Sequence, residues 1–195
     1  DHIRFKPGQV GLLDALLASQ PSVSVDEAFT HARNRLLDFK GVKPIDPPKT
    51  FVGELRPYQR EGLGWLNFLQ EFQFGGCLAD DMGLGKTVQV LALLEGRRVA
   101  ENGKLRSKGS KVRNPQSETH NRTSLAVVPN SLVFNWIQEA ARFAPRLRVL
   151  DHTGSGRDKD CEYFEDYDLV ITTYGTLRRD ITFLKDYSFE CCILD

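Results

Sequence analysis

Gly83-Leu84-Gly85-Lys86-Thr87 is the segment of this sequence best equipped for chemistry. Glycines let consecutive backbone N–H groups turn inward as an anion nest, and a helix beginning behind them adds its own free donors. Lys86 would reach the outer phosphates of ATP as a point charge, while the Thr87 hydroxyl would join the shell of a Mg2+ ion. That role requires an apolar strand before the loop and an amphipathic helix behind it. The sequence predicts both: Gly76-Cys77-Leu78-Ala79 as a short buried strand, and residues 87–99 as a helix led by Val88, Leu91, Leu94 and Val99. The competing reading is a glycine-rich turn that merely caps a helix; Gly-Lys-Thr at a strand-to-helix junction weighs against it. One departure stands out, because the first glycine of such a loop would fall at position 80, which is Asp80. A Mg-nucleotide site also needs an acidic ligand at the tip of a neighbouring strand, and Asp195 ends the apolar run Cys192-Ile193-Leu194. Lys86 and Asp195 are therefore the candidate catalytic residues, and Thr87 and Asp195 the candidate metal ligands.

The rest of the chain supplies elements to hold such a site. Residues 1–40 predict two helices, the first with Val10, Leu13, Leu16 and Leu17 on one face. The second opens on the capping-box pattern Ser24-Val25-Asp26-Glu27 and carries Ala28, Leu36 and Phe39. Lys43-Pro44-Ile45-Asp46-Pro47-Pro48-Lys49 reads as an extended linker, since proline blocks helix continuation and restricts its predecessor. This divides the chain into a leader at 1–50 and a main portion at 51–195. Pro57 suits the first turn of the next helix, along which Tyr58, Trp65, Leu66, Leu69 and Phe72 recur. Residues 102–122 are rich in Lys and Arg with little apolar content, and predict an exposed, mobile insertion. Strands follow at 125–128, 147–150, 168–173 and 191–194, with helices at 132–143 and 177–184 and a glycine-rich turn at 152–159. Strands alternating with helices imply an α/β fold, a parallel sheet flanked by helices.

Bulk properties narrow the class. A length of 195 residues suits one domain with an appendage, and 41% apolar with 27% charged residues is a globular mixture. Lys plus Arg equals Asp plus Glu at 26 each, so whole-chain charge argues neither for nor against a nucleic-acid partner. There is no membrane-length apolar run and no signal peptide. Four cysteines without a Cys-x-x-Cys pair read as buried thiols in a reducing compartment rather than disulfides or zinc ligands. His2, His31, His120 and His152 lack metal-ligand spacing. An intracellular protein is expected, in the cytoplasm or nucleoid if bacterial and the nucleus if eukaryotic.

Leu55-Arg56-Pro57-Tyr58-Gln59-Arg60-Glu61-Gly62 with Trp65-Leu66, followed by Leu78-Ala79-Asp80-Asp81-Met82-Gly83-Leu84-Gly85-Lys86-Thr87-Val88-Gln89, closely resembles the SNF2 family. These are superfamily 2 ATPases that translocate along duplex DNA. The resemblance covers residues 52–195 and makes Asp80 an expected feature, since an aspartate commonly stands there in the family. It implies a RecA-like P-loop lobe with ATP and Mg2+ as cofactors. Asp81, Met82, Gly83, Leu84, Gly85, Lys86, Thr87 and Val88 would line the nucleotide. By the same resemblance Gln59 would read adenine, for which a side-chain amide offers both donor and acceptor. Residues 125–132 with Asn135-Trp136 are similar to motif Ia, and Thr172-Thr173-Tyr174 to motif Ib, segments that face the DNA backbone in the family. Ser131, Thr173 and Tyr174 are thus the nucleic-acid candidates, with helix capping as the competing role for Ser131 and Thr173. Trp136 reads as core packing. The helical leader makes the chain look closer to bacterial members.

The family's motif II reads Asp-Glu-x-x, and the sequence ends on what would be its first residue. The resemblance implies that the glutamate, the later motifs and a second RecA-like lobe with its arginine finger lie outside these residues. The lobe would be incomplete and would turn over little or no ATP alone, since loss of an arginine finger typically removes about 10³–10⁵ in rate. The expected parent is a DNA-dependent ATPase and double-stranded DNA translocase. The alternatives are a superfamily 2 RNA helicase, against which Asp80-Asp81-Met82 before the loop argues, and a non-catalytic nucleotide-binding scaffold module.

Overall fold

The computed structural model describes residues 7–17, 24–107, 123–158 and 160–195. His2, His120 and most of the basic insertion lie outside the described residues. Contacts divide the chain into two compact units, Asp1–Asp46 with Arg56–Met82, and Pro47–Leu55 with Gly83–Asp195.

Three helices make the first unit: α1 (Val10–Leu17), α2 (Glu27–Leu37) and α3 (Pro57–Phe72). The start of α2 is capped by Asp26, whose Oδ1 accepts from the Phe29 N–H at 2.7 Å, rather than by Ser24. Asp26 sits three residues before the donor it satisfies, the spacing an N-cap requires. On α1, Val10 is buried but Leu16 is exposed, so the expected four-residue stripe is only partly used. Proline opens α3 as predicted, and its inner face is Leu63, Gly64 and Phe72 rather than Trp65 and Leu69, which are half-buried. Phe39 stacks on Phe68 at 4.2 Å, and Phe68 meets Phe72 at 5.0 Å. The linker lies against α3: the Ile45 N–H donates to the Arg60 carbonyl at 3.0 Å, and Arg60 pairs with Asp46 at 3.2 Å. A Cβ on Gly64 would stand 2.0 Å from the Lys43 carbonyl oxygen, so only glycine admits the linker this closely.

The second unit is a four-stranded parallel sheet in the order β2-β3-β1-β4, with β1 Ser124–Val128, β2 Val149–Asp151, β3 Leu169–Thr173 and β4 Cys191–Leu194. Its helices are α4 (Lys86–Ser107), α5 (Val133–Phe143) and α6 (Tyr174–Leu184). Every residue of β1 and β3 is buried, as central strands covered on both faces must be. Phe164, fully buried in a short 3₁₀ segment that the sequence did not signal, packs with Leu125, Val127, Val170 and Leu184. β2 starts two residues later than predicted because neighbouring donors are already spent: the Leu147 N–H bonds back to Ala144 and the Arg148 N–H bonds to Asp168 Oδ2.

Three expectations fail here. Residues 76–79 form no strand; Cys77 and Ala79 are exposed, and the sheet's ladders do not include them. A short apolar run becomes a strand only where another strand takes its N–H and C=O groups. Helix α4 runs on to Ser107 instead of stopping near Val99. Lys104, Leu105 and Arg106 are strong helix formers, and low apolar content does not by itself argue against a helix. The cysteines are free thiols, but Cys77 and Cys192 are exposed and the other two half-buried, none of them a core residue. Cys192 lies on the face of β4 that also exposes Leu194. No helix among the described residues is long and apolar enough to cross a membrane.

Candidate nucleotide site and strand-end turns

Lys86 and Thr87 are the first two residues of α4, directly behind Gly83 and Gly85 at φ +83° and +78°. Positive φ is the conformation that L side chains resist, and it is what turns successive N–H groups to one side. A Cβ on Gly83 would meet nothing within 4 Å, so backbone conformation rather than space selects glycine there. The Gly85 carbonyl accepts the Gln89 N–H at 3.2 Å, closing the first turn of the helix. Lys86, Thr87 and Val88 are half-buried, and Gln89, Leu91 and Leu94 anchor the helix in the core. Asp81 and Met82 fall at the end of the first unit; both are exposed. This loop fits an anion: its backbone is preset, a lysine follows it, and the helix behind it is 22 residues long.

Asp195 follows β4 and is exposed, yet firmly held. Its backbone N–H donates to the Val127 carbonyl at 3.0 Å. The indole N–H of Trp136 donates to its Oδ2 at 2.8 Å, and the Tyr174 hydroxyl donates to its backbone oxygen at 2.9 Å. The indole engages one carboxylate oxygen, and the other is the kind of ligand that a hard divalent cation takes. Glu139 lies near enough to sense it. Burial pushes the Glu139 carboxyl above its ordinary value, Arg142 opposes this, and the Asp195 charge adds to it. Trp136 is 3% exposed, so it is a packed residue as expected, but its polar edge reaches the candidate metal ligand.

The nucleic-acid candidates separate. Thr173 is the N-cap of α6: its Oγ1 accepts from the Thr176 N–H at 3.1 Å, and the residue is buried. Ser131 is exposed in a 3₁₀ turn between β1 and α5. Tyr174 is 44% exposed at the start of α6, beside exposed Gly175, Arg178 and Arg179. Gln59 in α3 is buried, and its Oε1 accepts the Arg56 N–H at 2.9 Å, so part of its side chain caps its own helix.

Sequence reading missed a polar cluster at the end of β2. His152, 1% exposed, approaches Asp180 Oδ2 at 3.1 Å through Nε2 and the Tyr163 hydroxyl at 3.1 Å through Nδ1. Both contacts are met when Nε2 carries the proton and Nδ1 accepts from tyrosine. Arg157 grips both oxygens of Asp180, at 2.5 and 2.7 Å, and bonds the Gly154 carbonyl. Burial pushes His152 below its usual value, with Asp180 pulling the other way. The Arg157 guanidinium holds the Asp180 carboxyl below the usual carboxylate range, and burial pushes the Tyr163 hydroxyl up to about 12. These partners lie up to 28 residues apart, and no local pattern announces them. Among the described residues no cluster of His, Cys, Asp and Glu could hold a metal by itself.

Comparison with known proteins bears on the family. The human TATA-binding protein-associated factor 172 is 32% identical over 200 residues, covering 99% of this chain and 10% of that protein. YwqA of Bacillus subtilis, a candidate ATP-dependent helicase/translocase, is 39% identical over 149 residues, 75% of this chain and 14% of that protein. Of these two, the human relative rather than the bacterial one is matched over nearly the whole chain, leader included. The Sulfolobus solfataricus SWI2/SNF2 ATPase core in complex with dsDNA superposes with a TM-score of 0.61 at 35% identity, over 78% of this chain and 28% of that one. The chain therefore spans between about a tenth and about a quarter of these relatives. The SNF2-related domain matches residues 58–195, and with loop, sheet and relatives in accord, the chain belongs to the SNF2 family.

Proposed function

We propose that this chain is the ATP-binding part of an SNF2-type ATPase that translocates on double-stranded DNA. The observation that carries the proposal is the entry to α4, where Lys86 and Thr87 open the helix behind two positive-φ glycines. In this reading the loop from Asp81 to Val88 holds the triphosphate, Lys86 balances charge on its outer oxygens, and Gln59 meets the adenine. Thr87 and Asp195 would hold Mg2+, which when bound neutralises charge on the β- and γ-phosphates. Positioning and charge stabilisation are most of what phosphoryl transfer asks of a protein.

Duplex DNA is proposed to run along the turns that follow β1 and β3. Ser131, Tyr174 and the exposed first turn of α6 would meet its phosphates, contacts that carry no sequence information. Thr173 would serve by shaping that turn, since its hydroxyl is already engaged. The dsDNA complex of the archaeal relative supports this partner. A second RecA-like lobe of the same parent chain is the proposed catalytic partner, and an intracellular location with the DNA follows.

Lys86→Ala tests the assignment. Equilibrium binding of a fluorescent ATP analogue should fall at least about tenfold, as expected for removing a charge-assisted contact worth about 1.5–3 kcal/mol. Unchanged affinity would end the proposal. In the whole protein, hydrolysis stimulated by duplex DNA but not by RNA is the expected companion result.

A further inference from the structure

Asp195 stands at the end of an edge strand whose neighbour Leu194 is 70% exposed. An aspartate in such a place ordinarily samples several rotamers, and a cation that needs one of them meets it only part of the time. Here the carboxylate is fixed from α5. The Trp136 ring is 3% exposed and so cannot move freely, and its indole nitrogen reaches Asp195 Oδ2 at 2.8 Å. An indole N–H is only ever a donor, so the bond has one polarity and is satisfied only by the ionised or acceptor face of the carboxyl. The backbone on either side is held as well, by Val127 below and the Tyr174 hydroxyl above.

We infer that Trp136 is a positioning residue for the metal-binding carboxylate: its buried indole N–H locks the Asp195 side chain so that the other oxygen faces a divalent cation. The inference rests on the proposed Mg-nucleotide site and deepens it. Partners of this kind set the orientation and basicity of a ligand without touching the metal, and their loss typically costs about 10–100-fold in metal affinity. A residue that served packing alone would show no such selectivity.

The test compares nucleotide binding with and without Mg2+ in the full chain, using a non-hydrolysable ATP analogue. Trp136→Phe removes the donor and keeps an aromatic ring. The Mg2+ concentration for half-maximal tightening of analogue binding should rise by about 10–100-fold, while Mg2+-free binding changes by less than about twofold. A Mg2+ requirement left where it was would overturn the inference and leave the phosphate loop assignment standing. Absence of any Mg2+ dependence in the unsubstituted protein would sink both. Because the variant could fold poorly, a second measurement keeps Trp136 in place. The chain has two tryptophans, so its ¹⁵N–¹H spectrum carries two indole cross-peaks. The Trp136 peak should shift with Asp195→Asn and with Mg2+ added to the analogue-loaded protein; a peak unmoved by both overturns the inference.

Discussion

Helices α4 and α6 belong to the same unit and face the same difficulty, the first backbone N–H groups of a helix having no partner within it. Their solutions differ. At α6 the chain supplies its own acceptor, the buried Thr173 hydroxyl, which takes the Thr176 N–H at 3.1 Å and also meets the Thr176 hydroxyl at 3.0 Å. At α4 the residue in the corresponding place is Gly85, which has no side chain to offer and which stands at positive φ. A threonine cap makes a helix start self-sufficient; a glycine start leaves that place to whatever anion the loop can surround. In the proposed reading, the difference separates a turn that holds its own shape from one that would hold a ligand.

The largest expected effect on this contrast comes from Gly85→Val. A β-branched residue at φ +78° is strained, so the loop must change shape. ATP-analogue affinity should drop more than about tenfold, while stability falls by about 1–2 kcal/mol; a valine variant with normal affinity would show that the preset backbone is dispensable. Next, Thr173→Ala should cost about 1 kcal/mol in denaturant unfolding and leave analogue affinity unchanged. If it weakened binding as much as Gly85→Val, the two helix starts would not be separable. Smaller still is the protection given by inorganic pyrophosphate. Its rise in thermal midpoint should survive Thr173→Ala and vanish in Lys86→Ala.

The smallest effect concerns the backing of α6 by Asp180. His152 titrates below its ordinary value in the fold. Between that depressed value and the unfolded value of about 6.5, the unfolded chain binds more protons, so stability rises with pH. Its contribution is intact above about pH 6.5 and is lost on acidification through the folded value. Thermal midpoints from about pH 7.5 down to about pH 5.5 should therefore decline, and more gently in His152→Gln. A wild-type slope matching the variant's would remove His152 from the account. Asp180, held down by Arg157, gives way only in a more acidic window, below about 3.9.

What could be read from sequence was what local chemistry encodes. The α4 entry, the buried runs of β1 and β3, the proline-led α3 and the strand ending at Asp195 all announce themselves within a few residues. Residues 76–79 did not become a strand, because pairing is decided by neighbours and not by the run itself. The role of Trp136 was invisible for a related reason: its partner is 59 residues away, and a tryptophan on an amphipathic helix looks the same whether or not its N–H has a purpose. Capping at Thr173 was one of two open readings, and the structure realises it. The extension of α4 is not legible in the sequence because a basic, polar run reads equally as loop or as helix, Lys and Arg favouring helix as much as solvent.

The linker between leader and α3 has a mechanical consequence. With the Lys43 carbonyl seated where Gly64 lacks a side chain, and with Ile45 and Asp46 both bonded to Arg60, the linker is held in one register along α3. Arg60 is the residue next to Gln59, and Gln59 fastens the start of the same helix. The last stretch of the linker, from Lys43 to Asp46, is thus fastened along the same helix that carries the proposed adenine contact.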